Sequence, residues 1–155
     1  MTRISSNNIQ TAISLAAKAA KLNEVPIGAV LVDAQGMIIG RGYNQTHKKK
    51  DGLAHAELIA IKQAQNKLSD WRLEGAAMYI TLEPCLMCLG AMANARVAKV
   101  CYILADPLFG SVESRFTKKQ FAKLFPKLIV EKLPDDGSVR AMMKEFFVTL
   151  RSRQK

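Results

Sequence analysis

The sequence predicts an α/β protein built on a mixed β-sheet covered on both faces, and three observations carry that reading. Strand-length apolar runs alternate with helix-length amphipathic segments through the middle of the chain, the pattern expected of βαβ crossovers. The first two strand-like runs, "PIGAVLVD" and "MIIGRGYN", are separated only by "AQG", which predicts an antiparallel hairpin. A short helical segment stands between the fourth and fifth strands, and such a crossover makes those two parallel.

Taken in order, residues 7–22 place Ile9, Ala12, Ile13, Ala16, Ala19 and Ala20 on one helical face, with Asn7 or Asn8 as the expected cap. The hairpin follows, and then a basic loop, "QTHKKKDGL". A helix is predicted from Ala54 to Lys67, and "SDWRLEG" connects it to the strand "AAMYITL". Pro84 should occupy the first turn of the next helix, Leu86 to Ala95, where a missing N–H costs nothing. The strand "AKVCYILA" comes next, then a loop over 106–116, a short helix over 117–124, a strand over 127–132 and a last helix over 138–152. No repeat, low-complexity tract or linker interrupts the chain, so residues 1–155 are expected to form one domain.

Composition narrows the class. The 155 residues are 49% apolar and 23% charged, as in a globular rather than a disordered protein. No apolar run reaches the ~18 residues of a membrane span. The polar start, "MTRISSNNIQ", does not resemble a secretory signal, so the cytoplasm is the expected location. A stable disulfide is not expected there. Of the net charge of +10, residues 1–95 carry ten Lys/Arg against seven Asp/Glu, and residues 96–155 carry thirteen against six. A basic C-terminal third suits a polyanionic partner, although a solvated surface would read the same.

The chemistry lies in the cysteines. Cys85 and Cys88, in "PCLMC", fall on one face at the start of a helix, where exposed N–H groups and the dipole favour thiolate. That alone suits either a redox pair or two zinc ligands. Beyond them the chain offers His47, His55 and Cys101. Cys101, inside a strand, reads as a buried apolar residue, and His47, beside three lysines, as a solvated one. His55 opens a helix with Glu57 two residues on, in "AHAE". One histidine, two thiolates and a carboxylate that is not a ligand make a catalytic zinc set, in which a bound water is acidified toward ~7 and Glu57 shuttles its proton. The residues that could converge there sit where strands lead into helices, the usual crevice of an open α/β sheet.

The pattern H-x-E…P-C-x-x-C is a known zinc-deaminase signature. With "EVPIGAVLV", "TLEPCLMCLGAMANARV" and "EFFVTLRSRQK", the sequence resembles the bacterial tRNA-specific adenosine deaminases over nearly its full length. The resemblance implies a three-layer α/β/α, cytidine-deaminase-like fold with a five-stranded sheet, a homodimer, and conversion of adenosine to inosine at the wobble position of a tRNA anticodon. It implies one zinc ion per chain on His55, Cys85 and Cys88, with Glu57 as the proton shuttle. Asn44 and the backbone N–H of Ala56 would hold the flipped base, and Phe146, Phe147 and Arg151 would meet nucleotides of the anticodon loop.

Two departures bear on the substrate. Gly52 and Leu53 stand where the family has Pro and Thr or Ser before Ala-His. In the 106–115 loop, Leu108 replaces a lysine and Glu113 a glycine. These keep two other readings open: a deaminase of a free base or nucleoside such as guanine, and a non-catalytic RNA-binding subunit. A redox role would require a metal-free Cys85–Cys88 disulfide.

Overall fold

The computed structural model describes residues 3–155, with side chains from Ser5 onward. Helix α1 (Arg3–Lys21) leads into the hairpin of β1 (Gly28–Val32) and β2 (Ile38–Tyr43). A short α2 (Thr46–Lys49) and then α3 (Ala56–Leu68) follow. After them come β3 (Ala77–Leu82), α4 (Leu86–Asn94), β4 (Lys99–Leu104), α5 (Lys118–Leu124), β5 (Ile129–Lys132) and α6 (Ser138–Arg153). The sheet runs β2-β1-β3-β4-β5. β1 is antiparallel to both its neighbours, and β3, β4 and β5 are mutually parallel. This is the mixed five-stranded sheet between helical layers that the sequence predicts.

Alternation along the strands divides the core in two. Ala29, Leu31, Met78, Ile80, Val100 and Tyr102 face α3, α4 and Phe121 of α5. Val30, Val32, Tyr79, Cys101 and Ile103 face Ile9 and Ala12 of α1 and Val139 of α6. The strands are buried on both faces, so the apolar runs are nearly continuous. On β2, Gly40 and Gly42 have no Cβ because the carbonyls of Ala60 and Ala56 occupy that space. The backbone of α3 therefore lies directly on β2, and this contact fixes where His55 stands.

Three local expectations are corrected. Asn7 and Asn8 are not caps, because α1 already begins at Arg3. No Gly or Pro interrupts residues 3–8, and the Ser5 hydroxyl pairs with that of Tyr79 at 3.0 Å, tethering this turn to the sheet. Nor is the basic segment all loop. Fully buried Glu24 accepts the N–H groups of His47 at 3.3 Å and Lys48 at 2.7 Å, placing a negative charge at the N-terminus of α2. Pro84 lies outside α4, one residue before its cap, Cys85.

Candidate metal and catalytic site

Two helices begin at this site. His55 is the extended N-cap residue of α3 and Cys85 that of α4. Neither offers a side-chain hydrogen bond to its own helix, so both side chains remain available as ligands. Cys88 lies one turn into α4, fully buried. The Nδ1 atom of His55 is 3.7 Å from Sγ of Cys85 and 3.5 Å from Sγ of Cys88. One ligand atom from each residue lies within 4.8 Å of the others.

The three side chains shift one another's protonation. Hydrogen bonding by the Cys88 thiol holds Cys85 down at about 4, with His55 adding to the effect. The same contact, reinforced by burial, pushes Cys88 up. His55 is raised by its hydrogen bond with Cys85. Glu57 is 4% exposed, and its Oε2 has no hydrogen-bond partner. Burial raises its carboxyl to about 7, and it also contacts the Cys88 thiol. Unpaired buried carboxylate oxygens are rare, so this one fits a site completed by other groups. Three N/S donors together with a nearby carboxylate fit a zinc ion of the catalytic type.

Asn44 and Ala56 are both buried, and Ala56 directly follows His55 in the chain. The Gln45 N–H donates to the Ala54 carbonyl at 3.0 Å, which ties the end of β2 to the residue preceding His55. The remaining predicted residues are not brought to the cluster. Phe146, Phe147 and Arg151 lie in α6, which packs on α1 and β4 across the sheet. The rings of Phe146 and Phe147 meet edge to face at 5.3 Å, and Phe146 lines a groove between α1 and α6. Cys101 is buried on that opposite face and His47 is exposed, and neither joins the cluster.

Sequence reasoning passed over Glu24 and Glu83, both fully or almost fully buried. The only signal was an acidic residue adjoining a strand-like run, just before it for Glu24 and just after it for Glu83. Glu83 leads into Pro84-Cys85, and burial alone would raise its carboxyl. Hydrogen bonds from Ser114 and from the backbone of Asp106 and Val112 hold it below the ordinary range instead. The charge of Glu113 is also engaged, by the Tyr102 hydroxyl at 2.8 Å and Lys132 at 2.7 Å.

The chain is similar to known deaminases. A family model, MafB19-like deaminase, matches residues 5–151. The chain is 39% identical over 147 residues to the tRNA-specific adenosine deaminase of Bacillus subtilis, covering 95% of this chain and 91% of that protein. It is 42% identical over 105 residues to the Haemophilus influenzae enzyme of the same name; that match covers 68% of this chain but only 61% of the relative. A structure from a study of A-to-I editing by tRNA:A34 deaminases superposes with a TM-score of 0.75 at 37% identity, covering 83% of this chain and 98% of that one. A guanine deaminase from Bacillus subtilis gives a TM-score of 0.62 at 35% identity, covering 68% of this chain and 66% of that one.

Proposed function

This chain belongs to the deaminase family that includes the tRNA-specific adenosine deaminases, and from that premise we propose that it converts adenosine to inosine at the wobble position of a tRNA anticodon, with zinc as cofactor. The observation that carries the reading is the unpartnered Oε2 of Glu57 beside the His55–Cys85–Cys88 cluster. The near full-length identity to the Bacillus subtilis relative supports the choice of substrate.

His55, Cys85 and Cys88 would hold the metal. Zinc bound there supplies Lewis acidity, which brings the pKa of water toward ~7. The net reaction forms a C6–O bond, breaks C6–N6 and releases ammonia. Glu57 takes a proton from the attacking water and passes it to N1 of the base. It then carries the second water proton to the departing amino nitrogen. Asn44 and the N–H of Ala56 hold the purine edge so that C6 faces the water. Phe146, Phe147 and Arg151 contact anticodon-loop nucleotides from α6 by stacking and phosphate pairing.

The active form in this reading is a homodimer. Support comes from the outer face of α4, where Leu86 and Met87 are exposed and Gly90 faces open space. No described helix is long and apolar enough to cross a membrane, and the cytoplasm is the compartment the substrate implies.

A second reading, hydrolysis of free guanine, draws on the 35% identity to a guanine deaminase and on the altered 106–115 loop. Incubating zinc-loaded protein with an anticodon stem-loop and, separately, with guanine distinguishes the two. Inosine in the stem-loop supports the first; xanthine without inosine overturns it.

A further inference from the structure

Glu83 is 2% exposed, and every partner of its carboxylate comes from one segment, residues 106–114. Oε1 accepts the N–H groups of Val112 at 2.9 Å, Glu113 at 2.8 Å and Ser114 at 3.0 Å. Oε2 accepts the N–H of Asp106 at 2.9 Å and the Ser114 hydroxyl at 2.5 Å. Gly110 closes over the same group, since a Cβ there would run into the Glu83 carboxyl. Gly110 also forms an antiparallel bridge with Cys85, and the Ser111 N–H donates to the Pro84 carbonyl at 2.9 Å. One buried carboxylate therefore gathers the loop and lays it against a residue of the metal cluster.

What the loop presents outward is apolar. Leu108 is 72% exposed and Phe109 is 67% exposed. Arg115 steadies this tip by donating to the Leu108 carbonyl at 2.8 Å, and exposed Lys118 and Lys119 follow it. An unpacked phenyl ring, one residue along from the carbonyl that Arg115 holds, at the rim of a site that acts on a base, matches what an unpaired nucleotide needs: a ring for its base and a cation nearby for its phosphate.

We propose that Phe109 is a stacking platform for a nucleotide flanking the target adenosine, and that Glu83 is the positioning residue that presents it. This rests on the RNA-substrate reading above. Oε2 of Glu83 accepts the Asp106 N–H and the Ser114 hydroxyl, and Oε1 accepts the N–H groups of Val112, Glu113 and Ser114, so whichever way its amide turns, Glu83→Gln sets an NH2 against N–H donors and frees part of the loop. Glu113 does not oppose the phosphate, because its charge is held by Lys132 and Tyr102.

The test is a double-mutant cycle on zinc-loaded protein, reading kcat, KM, zinc content, Tm and oligomeric state with an anticodon stem-loop. Phe109→Ala should raise KM roughly 10-fold, the scale of one lost base–aromatic stack, with kcat within a factor of about three. Zinc, Tm and oligomeric state should not change, and Phe109→Trp should restore KM. Glu83→Gln should raise KM comparably, and adding Phe109→Ala to it should change KM by less than about two-fold, because coupled sites are non-additive. Should Glu83→Gln lose zinc or fail to fold, Ser114→Ala takes its place in the cycle. An unchanged KM in Phe109→Ala, an altered oligomeric state, or full additivity overturns the proposal. A wild type that makes no inosine overturns the functional reading itself, and this inference with it.

Discussion

Replacing Glu57 with glutamine separates the proton shuttle from the metal cluster. The side chain is buried, its Oε2 carries no hydrogen bond, and no ligand atom of the cluster belongs to it. Glutamine keeps the shape but cannot carry a proton between water, N1 and the amino nitrogen. General acid–base catalysis contributes ~10²–10⁴ in rate, which is roughly 3–5 kcal/mol of barrier. The effect on stability is much smaller. The new NH2 meets no acceptor where Oε2 now stands, at about 1–3 kcal/mol, and for a chain of this size each kcal/mol lowers Tm by ~2–4 °C. Turnover of a saturating stem-loop, zinc content and thermal melting of one preparation suffice as the assay. The expected outcome is a kcat lower by roughly a thousand-fold with zinc retained and a folded protein. A kcat within a factor of about ten of wild type, with zinc bound, would refute the shuttle, and a metal-free variant would refute the division between ligand and shuttle.

The other expectations concern the ligands, the helix seat, the basic turn and the substrate's charge. Cys88→Ala should lose zinc and activity together, whereas Cys101→Ala, on the far face of the sheet, should keep both; metal analysis of the two decides. Gly42→Ala drives a methyl group into the Ala56 carbonyl, so it should destabilise by about 1–3 kcal/mol and lower zinc content by moving His55. A stable, fully loaded variant in calorimetry would contradict that. Glu24→Ala removes the acceptor at the start of α2 and leaves the N–H groups of His47 and Lys48 without it, at about 0.5–1.5 kcal/mol each. Its Tm should fall while zinc content stays near wild type. For wild type, KM for a stem-loop should climb steeply with added salt as phosphate contacts are screened, and equal salt slopes for a stem-loop and free adenosine would argue against an RNA site.

The sequence displayed the parts whose residue types are restricted by chemistry or by periodicity. His55 and Cys85 lie thirty positions apart, yet few residue types bind zinc, so the set stood out. The "AQG" turn and the helical crossovers fixed strand pairing, and the glycines of β2 gave no hint that α3 would lie on them. Glu24 and Glu83 stayed hidden because each acts on backbone N–H groups more than twenty residues away, and any residue type supplies those. The start of α1 was misplaced for a related reason: a Ser5–Tyr79 contact, 74 residues apart in sequence, supports a turn that looked polar and unstructured. Pro84 precedes α4 rather than entering its first turn because the cap is Cys85, a residue type with no capping preference of its own.

The most direct test of the central claim is to incubate zinc-loaded protein with a full-length tRNA carrying a wobble adenosine, in water enriched in heavy oxygen, and to read the nucleosides by mass spectrometry. Hydrolytic deamination predicts inosine at the wobble position alone, with the heavy oxygen on C6, and none from Glu57→Gln. Unmodified adenosine in the presence of a full zinc complement, or equal conversion at other adenosines, would contradict the account.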